Sequence, residues 1–213
     1  MRARIAGFAV LFMAIALVPA VPAEAAKRRA KPCAAKGSKT VRNTRDVRIW
    51  SRKKTDESNV QTQYFGCLKS VKRQVFLTST DGDGGGGMGG SGPTALKVAG
   101  RYVAFVTVAD SGCSRYMMCE PANPDGVSAG VTAFDLRRRK RVRGIGPLPD
   151  PPTAFALTQR GGLAVLANGN LVGVDAGGQR QLDAGAIDGR TLRAEISIVS
   201  WVRDGVERFA RLR

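Results

Sequence analysis

Apolar and polar residues alternate in short runs along most of this chain. "VRIW" (47–50), "YVAFVTV" (102–108), "LAVLA" (163–167), "LVGVD" (171–175) and "ISIVSWV" (196–202) are rich in β-branched and aromatic residues. No window carries an i, i+3, i+4 apolar stripe of helical length. The 26 glycines and 10 prolines punctuate the runs. The pattern predicts an all-β protein.

The runs recur. "LAVLANGNLVGV" turns at Asn168-Gly169, and "SIVSWVRDGVERFA" turns at Asp204-Gly205. Both pairs suit a type I′ hairpin turn, which needs positive φ at two successive residues. A second element recurs as strand, polar turn, basic residue and short strand in "GCLKSVKRQVFL" (66–77), "FDLRRRKRVRGI" (134–145) and "VDAGGQRQLDAG" (174–185). Each unit then divides into four strands. The second holds "ALKVAG", "RYVAFVTV", "VTAFDL" and "KRVRGI"; the third holds "TAFALT", "GLAVLA", "LVGVD" and "RQLDA". The fourth supplies only "TLRAEI", "SIVSWV" and "VERFARL". The first supplies "RDVRIWS", "YFGCLK" and "RQVFL". "KTVRN" (39–43) has two places open to it, as the opening strand of the first unit or as the completing strand of the last.

Four short strands per unit of about 40 residues resemble the blades of secreted bacterial WD40-like β-propeller proteins. The resemblance covers residues 39–213 and implies about four blades of antiparallel strands, complete or left as an open arc; a β-sandwich is the alternative. The G-H…W-D signature is absent, so the chain would be a divergent relative. The propeller reading also puts Trp50 and Trp201 at matching places, as packing residues between sheets.

The first 25 residues set an expectation about compartment. Arg2 and Arg4 precede the apolar run "IAGFAVLFMAIALV" (5–18), and Ala23 and Ala25 are placed as an A-x-A cleavage site. This is the pattern of a secretory signal peptide. Residues 26–38 read as a basic, poorly ordered leader, and no second long apolar run follows. A secreted protein, extracellular or in the cell envelope, is expected, as a monomer without a membrane span after cleavage. Four cysteines fit that compartment. Of three connectivities, Cys113 with Cys119 and Cys33 with Cys67 have the best local logic. The first would pin a loop around "SRYMM", and the second would fasten the tail to an early strand.

Charge narrows the partners. A formal net charge of +17 draws a protein to anionic polymers. No zinc-finger spacing, helix-turn-helix pattern or RNA-binding signature accompanies it, so specific nucleic-acid binding is not expected. The densest basic run, "LRRRKRVR" (136–143), reads as a solvated turn or as a polyanion contact. There is no histidine, which removes Ser-His-Asp and Cys-His catalysis and weakens any zinc site. The glycine run "DGDGGGGMGGSG" (81–92) has no Lys or Arg and leads into a strand. It is neither a P-loop nor a Rossmann turn and reads as a flexible spacer. Asp81 and Asp83 alone fall short of a calcium loop. No cofactor or metal is expected.

A propeller brings three elaborations to one rim: residues 52–63, 79–93 and 109–130. The expected activity is that of an exported, non-catalytic interaction module using this rim, with Tyr64, Arg115, Tyr116 and Met117 as candidate contacts to a protein or an anionic polymer. Two alternatives stand beside it. One is a glycan-active propeller using Asp81, Asp83, Asp110, Glu120 or Asp125 as paired acids. The other is a basic cell-envelope protein held to anionic polymers by charge.

Overall fold

A computed structural model of the protein describes residues 33, 36–56, 59–81, 90–110 and 127–213. The chain is all-β. Among the described residues, fifteen strands form four antiparallel sheets in sequence order. Sheet one holds β1 (Lys39–Asn43), β2 (Val47–Asp56), β3 (Asn59–Leu68) and β4 (Arg73–Asp81). Sheet two holds β5 (Gly90–Ala99), β6 (Tyr102–Asp110), β7 (Val127–Asp135) and β8 (Lys140–Leu148). Sheet three holds β9 (Ala154–Leu157), β10 (Leu163–Ala167), β11 (Asn170–Asp175) and β12 (Gly178–Ala184). Sheet four holds β13 (Ile187–Ala194), β14 (Ile198–Arg203) and β15 (Val206–Arg211). The four units of the repeat therefore correspond to the four sheets.

Each sheet is a meander whose two faces alternate along the strands, so each can bury a face against both neighbours. Val47, Ile49, Val75 and Leu77 of sheet one meet Val103 and Phe105 of sheet two, with Leu136 beyond its third strand. The opposite face of sheet two, through Ala104, Val106, Val131 and Ile145, meets Phe155, Leu157, Leu163 and Val165 of sheet three. Ala156, Ala164, Leu166 and Leu171 on the other face of sheet three meet Leu192, Val199 and Trp201 of sheet four. The three junctions make one continuous arc. Among the described residues no fourth cluster joins sheet four back to sheet one, and the outer face of sheet four leaves Ile198 and Phe209 exposed. The architecture is propeller-like and incomplete.

The first strands of all four sheets, β1, β5, β9 and β13, contribute to one pocket, β1 through Arg42 alone. That convergence makes the arrangement radial.

The two short hairpins form as their sequences demand. Asn168 and Gly169 have φ of 48° and 71°, and Asp204 and Gly205 have 53° and 77°, the left-handed pair of a type I′ turn. Trp50 and Trp201 are both buried, Trp50 stacked on Phe65 with ring centroids 5.7 Å apart. Cys33 is bonded to Cys67, with Cα atoms 5.4 Å apart.

Two expectations change. Lys39–Asn43 pairs with β2 as the opening strand of sheet one, so it does not complete the last sheet, which stays three-stranded. Residues 52–56 and 59–63 are strand rather than loop: β2 and β3 stay in register from Val47 opposite Leu68 to Asp56 opposite Asn59. An antiparallel ladder satisfies its backbone groups whatever the side chains, so a polar hairpin runs on past the core. Arg52 donates to Gln63 across it at 3.2 Å.

Candidate functional site

Antiparallel meanders give the arc two rims. Turns between second and third strands, and links between sheets, lie on one. Turns between first and second strands, and between third and fourth, lie on the other.

Of the three elaborations expected on the first rim, the β4–β5 link (82–89) and the β6–β7 connection (111–126) lie outside the described residues, and the first is the paired β2–β3 hairpin. Tyr64 lies within β3 opposite Ser51 and Thr78, half-buried against the cluster between sheets one and two. It is a packing side chain as much as a surface one. Arg115, Tyr116, Met117, Cys113 and Cys119 lie outside the described residues, as do Asp83, Glu120, Asp125 and most of the glycine run. Asp81 and Asp110 close β4 and β6. The described part of this rim brings no candidate contacts together.

The second rim is cationic. Sheet one presents Arg45, Lys72 and Arg73 as exposed side chains, and sheet two presents Arg137, Arg138, Arg139 and Lys140. Arg160 adds another at sheet three. Facing them, Asp46 and Glu195 are the exposed acids of the described turns.

Two further acids on this rim are buried and already engaged. Asp135 ends β7, and its Oδ1 accepts from the backbone N–H groups of Arg137 and Arg138 at 2.9 and 3.1 Å. Its Oδ2 lies 3.1 Å from Arg101 Nε, close enough for an ion pair but misaligned for a hydrogen bond. Asp175 ends β11 in the same way. It accepts from Gly177 N–H and Arg213 N–H, each at 2.8 Å, and from Arg180 at 3.0 Å. Burial pushes the Asp175 carboxyl up, but these donors and the Arg180 charge hold it below its ordinary value. Each aspartate thus fastens a turn and draws in a neighbouring arginine, Arg101 at Asp135 and Arg180 at Asp175.

A third buried carboxylate locks two sheets. Asp183 on β12 accepts from Trp201 Nε1 at 2.8 Å and from Arg203 at 2.5 Å, with Arg208 at 3.5 Å. Burial alone would raise its pKa; the hydrogen bonds from Trp201, Arg203 and Ala184 N–H, with the Arg203 charge, bring it to about 2.

At the centre lies a pocket of about 560 Å³. Its walls come from the carboxyl-terminal ends of the four first strands, the ends that lead into the cationic rim. Arg42 of β1, Lys97 of β5 and Arg193 of β13 contribute charge, Gln159 contributes an amide, and no Asp or Glu is among the described lining residues. Lys97 Nζ sits over the Phe155 ring, 5.3 Å from its centroid. Burial, and then the charge of Arg193, lower the Lys97 pKa. Arg193 donates to the carbonyls of Arg190 and Leu192, so backbone oxygens, not a carboxylate, orient it.

The sequence pointed to the run at 136–143 but not to Asp135, Asp175, Asp183 or the pocket. The matching "FDL" and "VDA" at the third-strand ends were the available signal for the first two aspartates.

Among the described residues no group of three or more His, Cys, Asp or Glu could hold a metal, and no helix is long and apolar enough to cross a membrane. The Cys33–Cys67 bond fits an oxidising compartment. Neither a known protein family nor a curated protein matches the chain.

Proposed function

We propose that this protein is an exported, non-catalytic binding module for anionic polymers, which it engages through its cationic turn rim. The observation that carries the reading is the placement of charge. Arg45, Lys72, Arg73 and Arg137–Lys140 stand exposed on adjacent sheets, while Asp135, the nearest buried acid, is consumed by Arg101, Arg138 and its own turn. Fixed like charges on one face attract a polyanion and release its counterions. The net charge of +17 acts in the same direction at longer range.

Retention on long-chain inorganic polyphosphate tests this. Binding should weaken steeply as salt rises, and Arg137→Gln/Arg138→Gln/Arg139→Gln should flatten that dependence and lower affinity about tenfold or more. Retention unchanged in the triple variant, or no retention at low salt, would remove the proposal. The loop-bearing rim, with Arg115, Tyr116 and Met117 as contacts to a protein, is the second reading. It rests on the long β2–β3 and β6–β7 hairpins that frame it.

A further inference from the structure

We infer that the axial pocket is a seat for a phosphomonoester group, so that the protein holds an anionic chain by its phosphorylated end as well as along its length. The inference rests on the polyanion reading and adds a specific subsite to it.

Four observations meet here. First, Arg42, Lys97 and Arg193, each still exposed to solvent, line one open pocket from three different sheets. Like charges converge at a cost that water and salt relieve on an open surface but relieve less in a cavity. Burial first, and the nearby Arg193 charge second, lower the Lys97 pKa. Second, among the described residues no carboxylate lines the space to offset the charge. Third, two of the three cations are guanidiniums, whose planar forks match the oxygens of a phosphoryl group. Fourth, β1, β5, β9 and β13 are each the edge strand of their sheet, so their outer N–H groups lack ladder partners within it. Backbone N–H groups and Gln159 can supply the remaining donors to an oxyanion. A carboxylate carries one charge and two oxygens. A phosphomonoester carries close to two charges and three terminal oxygens, which is the better match to three cations and an amide.

Volume adds the last constraint. About 560 Å³ is within the range of small-molecule sites and well beyond the needs of a bare phosphate ion. The space therefore takes the phosphate together with the sugar or polyol that bears it. The chain of a polymer would leave over the cationic rim, since the lining residues sit at the strand ends that lead to it.

Calorimetry on the intact, oxidised protein tests the subsite with three probes: a hexose monophosphate, the same hexose without phosphate, and long-chain polyphosphate. The hexose monophosphate should bind with one-to-one stoichiometry and the unphosphorylated sugar should not bind. Lys97→Gln and Arg193→Gln should each weaken the phosphate ester about tenfold or more, the loss expected for a charged hydrogen-bond partner. Lys97→Arg should restore much of the loss, which a merely unfolded variant would not show. The rim variant at Arg137, Arg138 and Arg139 should leave hexose monophosphate binding intact. If that ester binds and polyphosphate does not, the subsite serves free phosphate esters and the polymer reading falls. If polyphosphate binds but the ester fails, or binds equally to the Lys97→Gln/Arg193→Gln variant, the subsite is overturned while the polymer reading stands.

Discussion

The first two sheets and the last two solve the same packing problem with different amounts of chain. Apart from β1, strands in sheets one and two run 9 or 10 residues; in sheets three and four they run 4 to 8. The short strands still bury Leu163, Leu171, Val199 and Trp201 almost completely. Four to eight residues per strand are therefore enough for the core between sheets. The additional length in the first half lies outside it, and residues 52–55 are exposed throughout. The cationic turns at 69–73 and 136–140 belong to that half too. The second half is held by minimal turns and by the Asp183 lock. Surplus chain and surplus charge thus lie together, away from the half that is trimmed to its core.

The largest effect expected from breaking this contrast is at the clasp. Cys33 and Cys67 are 34 residues apart in sequence. Reducing them should cost about 4 kcal/mol in the loop-closure view. The loss should appear as a lower urea midpoint, with hydrogen exchange rising in sheet one before sheet four. An unchanged midpoint would show that the clasp contributes nothing to folding.

In the second half, Asp183→Ala should cost about 2 kcal/mol, because Trp201 Nε1 and Arg203 lose a buried acceptor. The pH dependence has a definite sign. The folded pKa, about 2, lies below the ordinary aspartate value of 3.8. The lock is therefore fully effective above about pH 4 and is lost as pH falls through about 2. Acid titration of the Asp183→Asn variant should lack this component; an identical acid limb in both proteins would contradict the assignment.

Two glycines compare the packing directly. A Cβ at Gly162 would lie 2.6 Å from Leu212 Cβ, close to the backbone. A Cβ at Gly66 would lie 2.7 Å from Leu136 Cδ2, the end of a flexible side chain. Gly162→Ala should therefore cost about 2 kcal/mol and Gly66→Ala about 1 kcal/mol, read from denaturation midpoints. The reverse order would mean that the first junction is the tighter one. The smallest change is expected on trimming the first hairpin. Arg52 and Gln63 face each other, so an Asn-Gly turn joining them copies sheets three and four. Stability should fall by about 1 kcal/mol or less. A larger loss would place the hairpin tip within the cooperative core.

The strands were legible because half-buried sheets impose alternation, and turns such as Asn168-Gly169 announce their own geometry. What escaped notice follows from the same physics. The ends of β2 and β3 are polar on both faces and carry no alternation, so they read as a loop. The grouping of Arg42, Lys97 and Arg193 depends on register. The pairing shifts between Thr40 and Arg42, between Ser91 and Ala95, and between Asp188 and Arg193. Each bulge lies beside or before one of the three cations and reassigns the face on which it emerges. Alternation in a single sequence cannot anticipate that. Asp183 was hidden for another reason: its partners, Trp201 and Arg203, lie in the next unit.

The most direct measurement is thiol cross-linking between the first sheet and the last. Arg42 and Arg193 belong to β1 and β13 yet line the same pocket. With Arg42→Cys and Arg193→Cys in the oxidised protein, a short bis-maleimide should give an intramolecular bridge, identified by peptide mass and lost in urea. Single-site adducts alone, under conditions where the protein stays folded, would show that the four sheets do not gather about one axis.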